Sequence, residues 1–418
     1  MTSDPIAQWL DPFRGLLDPN GRFAWSLLRE FADDLDATLE TCPVGPELPP
    51  GAERSRRLLR LRRELADRGH VDLTGAARLA PLVRLFRQFL CGYRDIDLRD
   101  SAGLGHGELI ARHGSTECRR CWLPRLRAGD LAGIAITEAH GGSRPAATTT
   151  AAVPGPTNTL LVSGRKTWIS RLTEAAVFVV FFRAPDDRLA AATVDAHRPE
   201  LHRQLIQPAG LAGWSWGFLD LDQVPVRSAD ILHGDGMTLL REHFAGYRPL
   251  VAATALGAAA AVFDTVTDTL TARQSAGDLP RLRDSALVTL GRAHAQINTA
   301  LLGAAIATNL ADTRDPDAEL WGAATKAHGV DTAHQAVAEL ALLLGAAGFR
   351  ADSQTAKTGR DLSGLRYADG IHDNLYRAAG KRHTDTAPVP QPRTHSGNVP
   401  TAVRTELSRF ACPARTAP

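Results

Sequence analysis

One carboxylate, one tyrosine–arginine pair and two short strings of hydroxyl, glycine and tryptophan residues are the parts of this sequence best suited to chemistry. Asp369 stands in a polar run with His372, Asp373 and Asn374. A carboxylate there can take a proton from a substrate or do no more than cap a helix. Tyr247 and Arg248 are adjacent, and a phenol of ordinary pKa is a poor base near neutral pH. The string ITEAHGGS at 136–143 places Thr137 and Ser143 around two glycines. Such a loop lets backbone N–H groups approach an anion or a ring edge, although by itself the string reads as a turn. Further on, GRKTWIS at 164–170 carries Trp168 and Ser170. Cys118 and Cys121 form a lone C-x-x-C with no second pair to complete a zinc site, so no metal is expected. There is no G-x-G-x-x-G and no G-K-[ST] loop, so a dinucleotide bound here is held without a Rossmann fingerprint.

Composition narrows the classes of function. The hydrophobic fraction is 44% and the charged fraction 22%, as in soluble globular proteins. Lys plus Arg number 48 against 46 for Asp plus Glu, a balance that predicts neither a nucleic-acid nor a membrane partner. The basic run Arg54, Arg56, Arg57, Arg60, Arg62 and Arg63, interleaved with leucines, reads as a solvated helix face. The apolar run at 251–263 is too short to span a bilayer and reads as a close-packed internal helix. Five sparse cysteines and no basic, then apolar, leader suit a reducing cytoplasm.

Pattern divides the chain into elements that must position these residues. Leucines and phenylalanines at helical spacing predict an N-terminal helical domain over 1–130. Over 131–235, short β-branched and aromatic runs at 159–162, 177–182, 190–194 and 218–221, parted by Gly, Pro and Asp, predict an antiparallel β-domain. Over 236–382, Ala/Leu segments at 249–272, 281–311, 317–345 and 365–379 predict a bundle of long helices. Residues 383–418, rich in Pro and Thr, read as a flexible tail.

This mainly α chain with a central β-domain resembles the acyl-CoA dehydrogenase family. The string at 136–143 is similar to the family's L-T-E-P-x-x-G-S, and 164–170 to its G-x-K-x-W-I-[TS]. A segment at 211–217 leads to Val224-Pro225, where the family has a strand ending in V-P, and 244–257 matches the start of its pocket helix. The resemblance implies FAD, with Ile136 and Thr137 on the isoalloxazine, Ser143 near the phosphates, Trp168 packed on the ring and Ser170 addressing N5. It implies that Arg273, Gly345 and Ala346 reach the cofactor of a neighbouring subunit, hence a homodimer or homotetramer. Ala276 and Leu342 depart from the family at that adenine end. The family's catalytic carboxylate follows an Arg by nine residues, and Asp369 stands nine after Arg360. Asp369 is therefore the implied base, with Tyr247, at a second family location, as the alternative, and Arg248 on the pocket helix beside it.

What the resemblance implies chemically is removal of a proton α to a thioester and of a β-hydride by flavin. The thioester is carried on CoA or acyl carrier protein, and no electron acceptor is named. The strings at 95–100, 105–107 and 211–217, with Asp369-Gly370, are similar to a subgroup acting on carrier-protein-bound hydroxyacyl groups, in making hydroxymalonyl or methoxymalonyl units for polyketides. Two other readings stay open: an oxygen-activating flavin monooxygenase, and a non-catalytic flavin-binding scaffold on the same fold.

Overall fold

Small side chains decide how the helices of this protein meet. The computed structural model describes residues 4–21, 25–71, 80–140, 144–279 and 281–385, so Ser143 and the tail beyond 385 lie outside the described residues. Among the described residues six α-helices come first: α1 (Arg14–Leu17), α2 (Trp25–Thr41), α3 (Ala52–Asp67), α4 (Ala80–Arg94), α5 (Gly107–His113) and α6 (Thr116–Arg127). Seven strands follow: β1 (Leu131–Ala135), β2 (Ala151–Pro154), β3 (Thr159–Ser170), β4 (Ala175–Arg183), β5 (Leu189–Asp195), β6 (Leu201–Ile206) and β7 (Trp216–Arg227). Then come α7 (Gly236–Ser275), α8 (Asp284–Asp312), α9 (Ala318–Leu343), α10 (Gln354–Leu365) and α11 (His372–Asp385).

Helix α7 starts where the Asp235 carboxylate accepts from the N–H groups of Met237 and Thr238, at 3.0 and 3.1 Å. Its alanine run from Ala252 to Ala260 is buried. Where α7 crosses α4, Gly257 faces the carbonyl of Phe89 and Gly92 faces that of Thr254. A Cβ at either position would collide with backbone, so this reciprocal pair sets the closeness of the two helices. The apolar stretch is thus core, surrounded by Phe86, Phe89, Ile297 and Val330.

The sheet is mixed rather than antiparallel. Its order is β1-β4-β2-β3-β7-β6, with β5 on β4. β1 runs parallel to β4, whereas β2–β3, β3–β7, β4–β5 and β6–β7 are antiparallel. Strand β4, AAVFVVFF, has no polar alternation because both of its faces are buried. The parallel partner follows from β1 reaching β4 only after the β2–β3 hairpin has intervened.

Two of the arginines read as a solvated face are instead buried: Arg54 and Arg62 are each 1% exposed. They share the inner face of α3 with Leu58, Leu61 and Leu65. Arg54 donates to Asp97 at 2.9 Å and Asp95 at 3.0 Å. Lys357 joins them from α10, 2.6 Å from Asp95, 2.9 Å from Asp97 and 2.6 Å from Asp361. Asp361 also accepts from the N–H of Leu211 at 2.7 Å, and Asp97 from that of Gly213 at 3.2 Å. Asp95, Asp97 and Asp361 offer oxygens within 4.8 Å of one another, but Arg54 and Lys357 already occupy them and offset two of the three charges. Among the described residues Arg62 has only carbonyls as partners, those of Gly129 and Gly103 at 3.0 Å, that of Asp130 at 3.4 Å and that of Asp100. Burial pulls its pKa down to about 10.

Candidate active site

The carboxylate that the spacing singles out lies on a turn. A helix was expected over 365–379, but α10 stops at Leu365 and α11 starts at His372. Between them Asp369 has φ +56° and Gly370 φ +114°, and two left-handed residues in succession cannot continue a helix. Ile371, not Asp369, flanks the first turn of α11. Three main-chain tethers hold this turn. Lys326 of α9, fully buried, donates to the carbonyls of Leu365 at 2.7 Å and Gly370 at 2.8 Å. Arg248 of α7 donates its Nε–H to the carbonyl of Asp369 at 3.1 Å. Burial drives the Lys326 amine down to about 7, with the Asp369 charge opposing.

Tyr247, half-buried, sits on α7 next to Arg248. Its ring stacks on His243 with centroids 5.3 Å apart and lies 4.8 Å from His106. The two imidazoles share a hydrogen bond of 3.0 Å between His106 Nδ1 and His243 Nε2. Burial lowers His243 to about 3 and His106 well below its ordinary value. Both are neutral near pH 7, so one ring donates and the other accepts. Burial also raises the Tyr247 phenol, and the carboxylates of Asp369 and Asp100 push the same way against Arg171.

Arg171 connects this region to the sheet. It is 3% exposed, donates to Ser170 Oγ at 2.7 Å and pairs with Asp100. Burial works against its charge, but Asp100, Tyr247 and Asp369 together outweigh burial and hold it cationic. The end of β3 and the turn bearing Asp369 are therefore within electrostatic reach of one guanidinium.

On the sheet side, Ile136 and Thr137 are the half-buried residues that leave β1. Their position is fixed by Glu138, which accepts from the N–H and hydroxyl of Thr149, the N–H of Thr150, the Thr148 hydroxyl and Lys166 at 2.8 Å. Lys166 also donates to the carbonyl of Ile136, at 3.3 Å, and the N–H of Thr167 donates to the carbonyl of Thr137 at 2.8 Å. Burial disfavours the Glu138 carboxylate, yet Lys166 and the threonines hold its pKa far below normal. Trp168 lies where the β3–β7 register slips, with φ +58° and its side chain 61% exposed. Beside it, Thr167 Oγ1 is buried without a hydrogen-bond partner among the described residues.

Ser170, Tyr247, Arg248 and Asp369 thus fall within reach of Arg171 or of the α10–α11 turn, with Ile136 and Thr137 just beyond β1 and Trp168 on β3, the strand that ends in Ser170. Arg273, Gly345 and Ala346 do not. Arg273 is exposed near the C-terminus of α7, about 39 Å along the helix from Tyr247 at 1.5 Å per residue. Gly345, with φ +62°, and Ala346 are exposed just beyond α9. Arg171, Lys326 and the Glu138 network are the site residues that sequence reasoning missed. The last carried a signal, since Glu138 and Lys166 stand inside the two quoted strings.

A helical N-terminal layer, a central mixed sheet and a bundle of long helices with a carboxylate on its last turn make up an acyl-CoA dehydrogenase fold. The solved structure of glutaryl-CoA dehydrogenase from Mycobacterium smegmatis, in complex with FADH2, aligns with a TM-score of 0.75 at 20% identity, covering 89% of this chain and 98% of that one. The prolyl acyl carrier protein oxidase AnaB aligns with a TM-score of 0.68 at 16% identity, covering 79% and 98%. The chain belongs to the acyl-CoA dehydrogenase family. Residues 133–224 match the family's middle domain and 234–383 its C-terminal domain. Among curated relatives, an acryloyl-CoA reductase (NADH) of Anaerotignum propionicum is 30% identical over 166 residues, 38% of this chain and 42% of that protein. A probable short/branched chain specific acyl-CoA dehydrogenase of Dictyostelium discoideum is 29% identical over 175 residues, 40% and 42%. The matched stretch thus spans about two fifths of each of these relatives.

Proposed function

We propose that this protein is an FAD-dependent acyl dehydrogenase of the cytoplasm, working as a homodimer or homotetramer. Its substrate is a small polar hydroxyacyl group on acyl carrier protein, in polyketide extender-unit or related secondary metabolism. The observation that carries this reading is Arg171, which touches Ser170 on β3 and feels the charge of Asp369 and the Tyr247 phenol on the helical side. A reacting carbon placed between them has a base on one face and the sheet on the other, as removal of a proton and a hydride from opposite faces requires.

The sheet face suits a planar cofactor. Trp168 presents an exposed ring from a strained left-handed position, which the ladder alone does not explain. The neighbouring Thr167 hydroxyl is buried without a partner among the described residues. Ile136, Thr137, Trp168 and Ser170 would hold the isoalloxazine, and Ser143 the phosphates. Arg273, Gly345 and Ala346, too remote for the same ring, would serve the cofactor of a second subunit. Bound there, FAD supplies the acceptor for the hydride. Asp369 takes the proton, because the Tyr247 phenol is raised out of the useful range. Arg248 and Lys326 hold the base by its main chain and leave its carboxylate for the substrate. The AnaB likeness, at 16% identity, makes a carrier-protein thioester a substrate to test beside a CoA ester.

The test is to load the purified protein with FAD and mix it anaerobically with hydroxyacyl thioesters of carrier protein and of CoA. Bleaching of the flavin by the carrier-protein thioester supports the proposal. Failure to retain FAD, or a flavin that no thioester reduces, refutes it. Reduction by CoA esters alone leaves the dehydrogenase and removes the carrier protein.

A further inference from the structure

The hydroxyl of Ser170 is held from behind by the next residue in the chain. Successive side chains of an extended strand point to opposite faces. Ser170, the last residue of β3, and Arg171 would therefore face apart if the strand ran on. Arg171 instead has φ +57°, a strained conformation for so large a side chain. The turn brings its Nη1 within 2.7 Å of Ser170 Oγ, to which it donates. A hydroxyl has one donor and two acceptor positions. The guanidinium fills an acceptor position and so turns the O–H away from Arg171. That O–H has no acceptor among the described residues.

The same guanidinium carries a charge that its surroundings offset only in part. Arg171 is 3% exposed and pairs with Asp100, whose other carboxylate oxygen is buried without a hydrogen bond among the described residues. Arg62, a second buried guanidinium, bonds the carbonyl of the same Asp100, and the two cations oppose each other. Arg99, shared with Asp97, lies 3.8 Å from the Asp100 carboxylate. His106 adds no charge, since burial and Arg171 keep it neutral. From the helical side Arg171 feels Asp369 and the Tyr247 phenol, and burial keeps that phenol neutral. Three guanidiniums around Asp100 leave the end of β3 electropositive.

We propose that Arg171 is a positioning residue that sets the reduction potential of the flavin on β3, by aiming the Ser170 O–H at the ring and by placing a buried positive charge behind it. The proposal rests on the reading of β3 as the flavin face. Both effects favour the reduced ring, which has gained two electrons. Arg171 acts through Ser170 and through space, without touching the substrate.

The experiment is anaerobic reduction of the FAD-loaded full chain by dithionite beside a reference dye of known potential, with no thioester present. It reads the two-electron equilibrium constant without turnover. Arg171→Gln should lower that constant about 10- to 100-fold, which is about 30–60 mV for a two-electron couple. Arg171→Lys, which keeps the charge, should recover part of the loss. Ser170→Ala should also lower the constant, by less than Arg171→Gln does. Asp100→Asn keeps Arg171 and removes its counter-charge, so the constant should rise. An Arg171 that only stabilised the fold would not produce opposite signs. Equal potentials in the wild type and Arg171→Gln, or shifts of one sign for Arg171→Gln and Asp100→Asn, overturn the proposal. Should Arg171→Gln not fold, Ser170→Ala and Asp100→Asn decide by the same criterion of opposite signs. A chain that cannot be loaded with FAD refutes the flavin reading itself, whereas a flavin whose potential ignores these changes refutes only the role of Arg171.

Discussion

Replacing Asp369 by Asn separates proton transfer from everything else the turn does. The tethers from Arg248 and Lys326 end on the carbonyls of Asp369, Leu365 and Gly370, none of which the substitution touches. Asn tolerates φ +56° as well as Asp does. The lost charge does act on Lys326, whose amine titrates at about 7 with Asp369 opposing burial. At pH 8 that amine is already mostly neutral, so the charge it loses as a neighbour matters little there. The melting temperature at pH 8 should therefore move by no more than about 2–4 °C, the equivalent of about 1 kcal/mol. Loss of a positioned base costs about a hundredfold to ten-thousandfold, or about 2.7–5.4 kcal/mol of barrier. Stopped-flow bleaching of the flavin, with FAD content measured in the same sample, reads both quantities. Tyr247→Phe, tested alongside, should slow bleaching less than about tenfold, since that phenol does not ionise near neutral pH. An Asp369→Asn protein that reduces its flavin at the wild-type rate would falsify the base assignment and return the question to Tyr247 or to oxygen chemistry.

Trp168→Ala should release FAD on dilution while the fold persists, because the exposed ring has little to hold but a ligand; unchanged FAD affinity by fluorescence titration would count against that role. Lys326→Met should leave two buried carbonyls unsatisfied, at about 1–3 kcal/mol each, and slow flavin reduction without loss of FAD; unaltered reduction would show the turn to be held by other means. Acid should destabilise the protein through His243. Its folded pKa of about 3 lies below the unfolded value, so between pH 6.5 and 3 only the unfolded state gains the proton and stability falls as pH falls. At pH 5 that amounts to about 2 kcal/mol, and urea unfolding at pH 7 and 5 should show a correspondingly smaller drop in His243→Gln; equal drops would mean an ordinary imidazole. Arg54→Met should cost about 3–5 kcal/mol by leaving buried carboxylates with one cation fewer, and a smaller loss in chemical denaturation would show that Lys357 suffices alone.

The layer order and the location of Asp369 were legible because both rest on short-range pattern. Helical spacing marks α7 to α9, and nine residues separate Arg360 from Asp369 whatever the fold. The turn itself was not legible: Tyr367 and Ala368 continue a helical texture, and left-handed φ at Asp369 leaves no compositional trace. Arg54 and Arg62 were misread for a different reason. Nothing near them in the chain shows that Asp95 and Asp97 wait in the interior for Arg54, or the carbonyls of Asp100, Gly103 and Gly129 for Arg62, since a buried charge is explained only by partners brought from afar. Parallel pairing of β1 with β4 is likewise a property of topology, invisible to the alternation that marks a strand.

The carboxylate hub of Asp95, Asp97 and Asp361 restricts how the fold can open. Its ligands come from α3, from the 3₁₀ turn Ile96–Asp100, from α10 and from the backbone just ahead of β7. A rigid-body swing of α10 away from the sheet would strand several buried charges at once, each at a cost of several kcal/mol. The junction behaves as a weld rather than a hinge. Any opening that admits a ligand must therefore leave α10 in place, and with it the Asp369 turn that Lys326 and Arg248 tether.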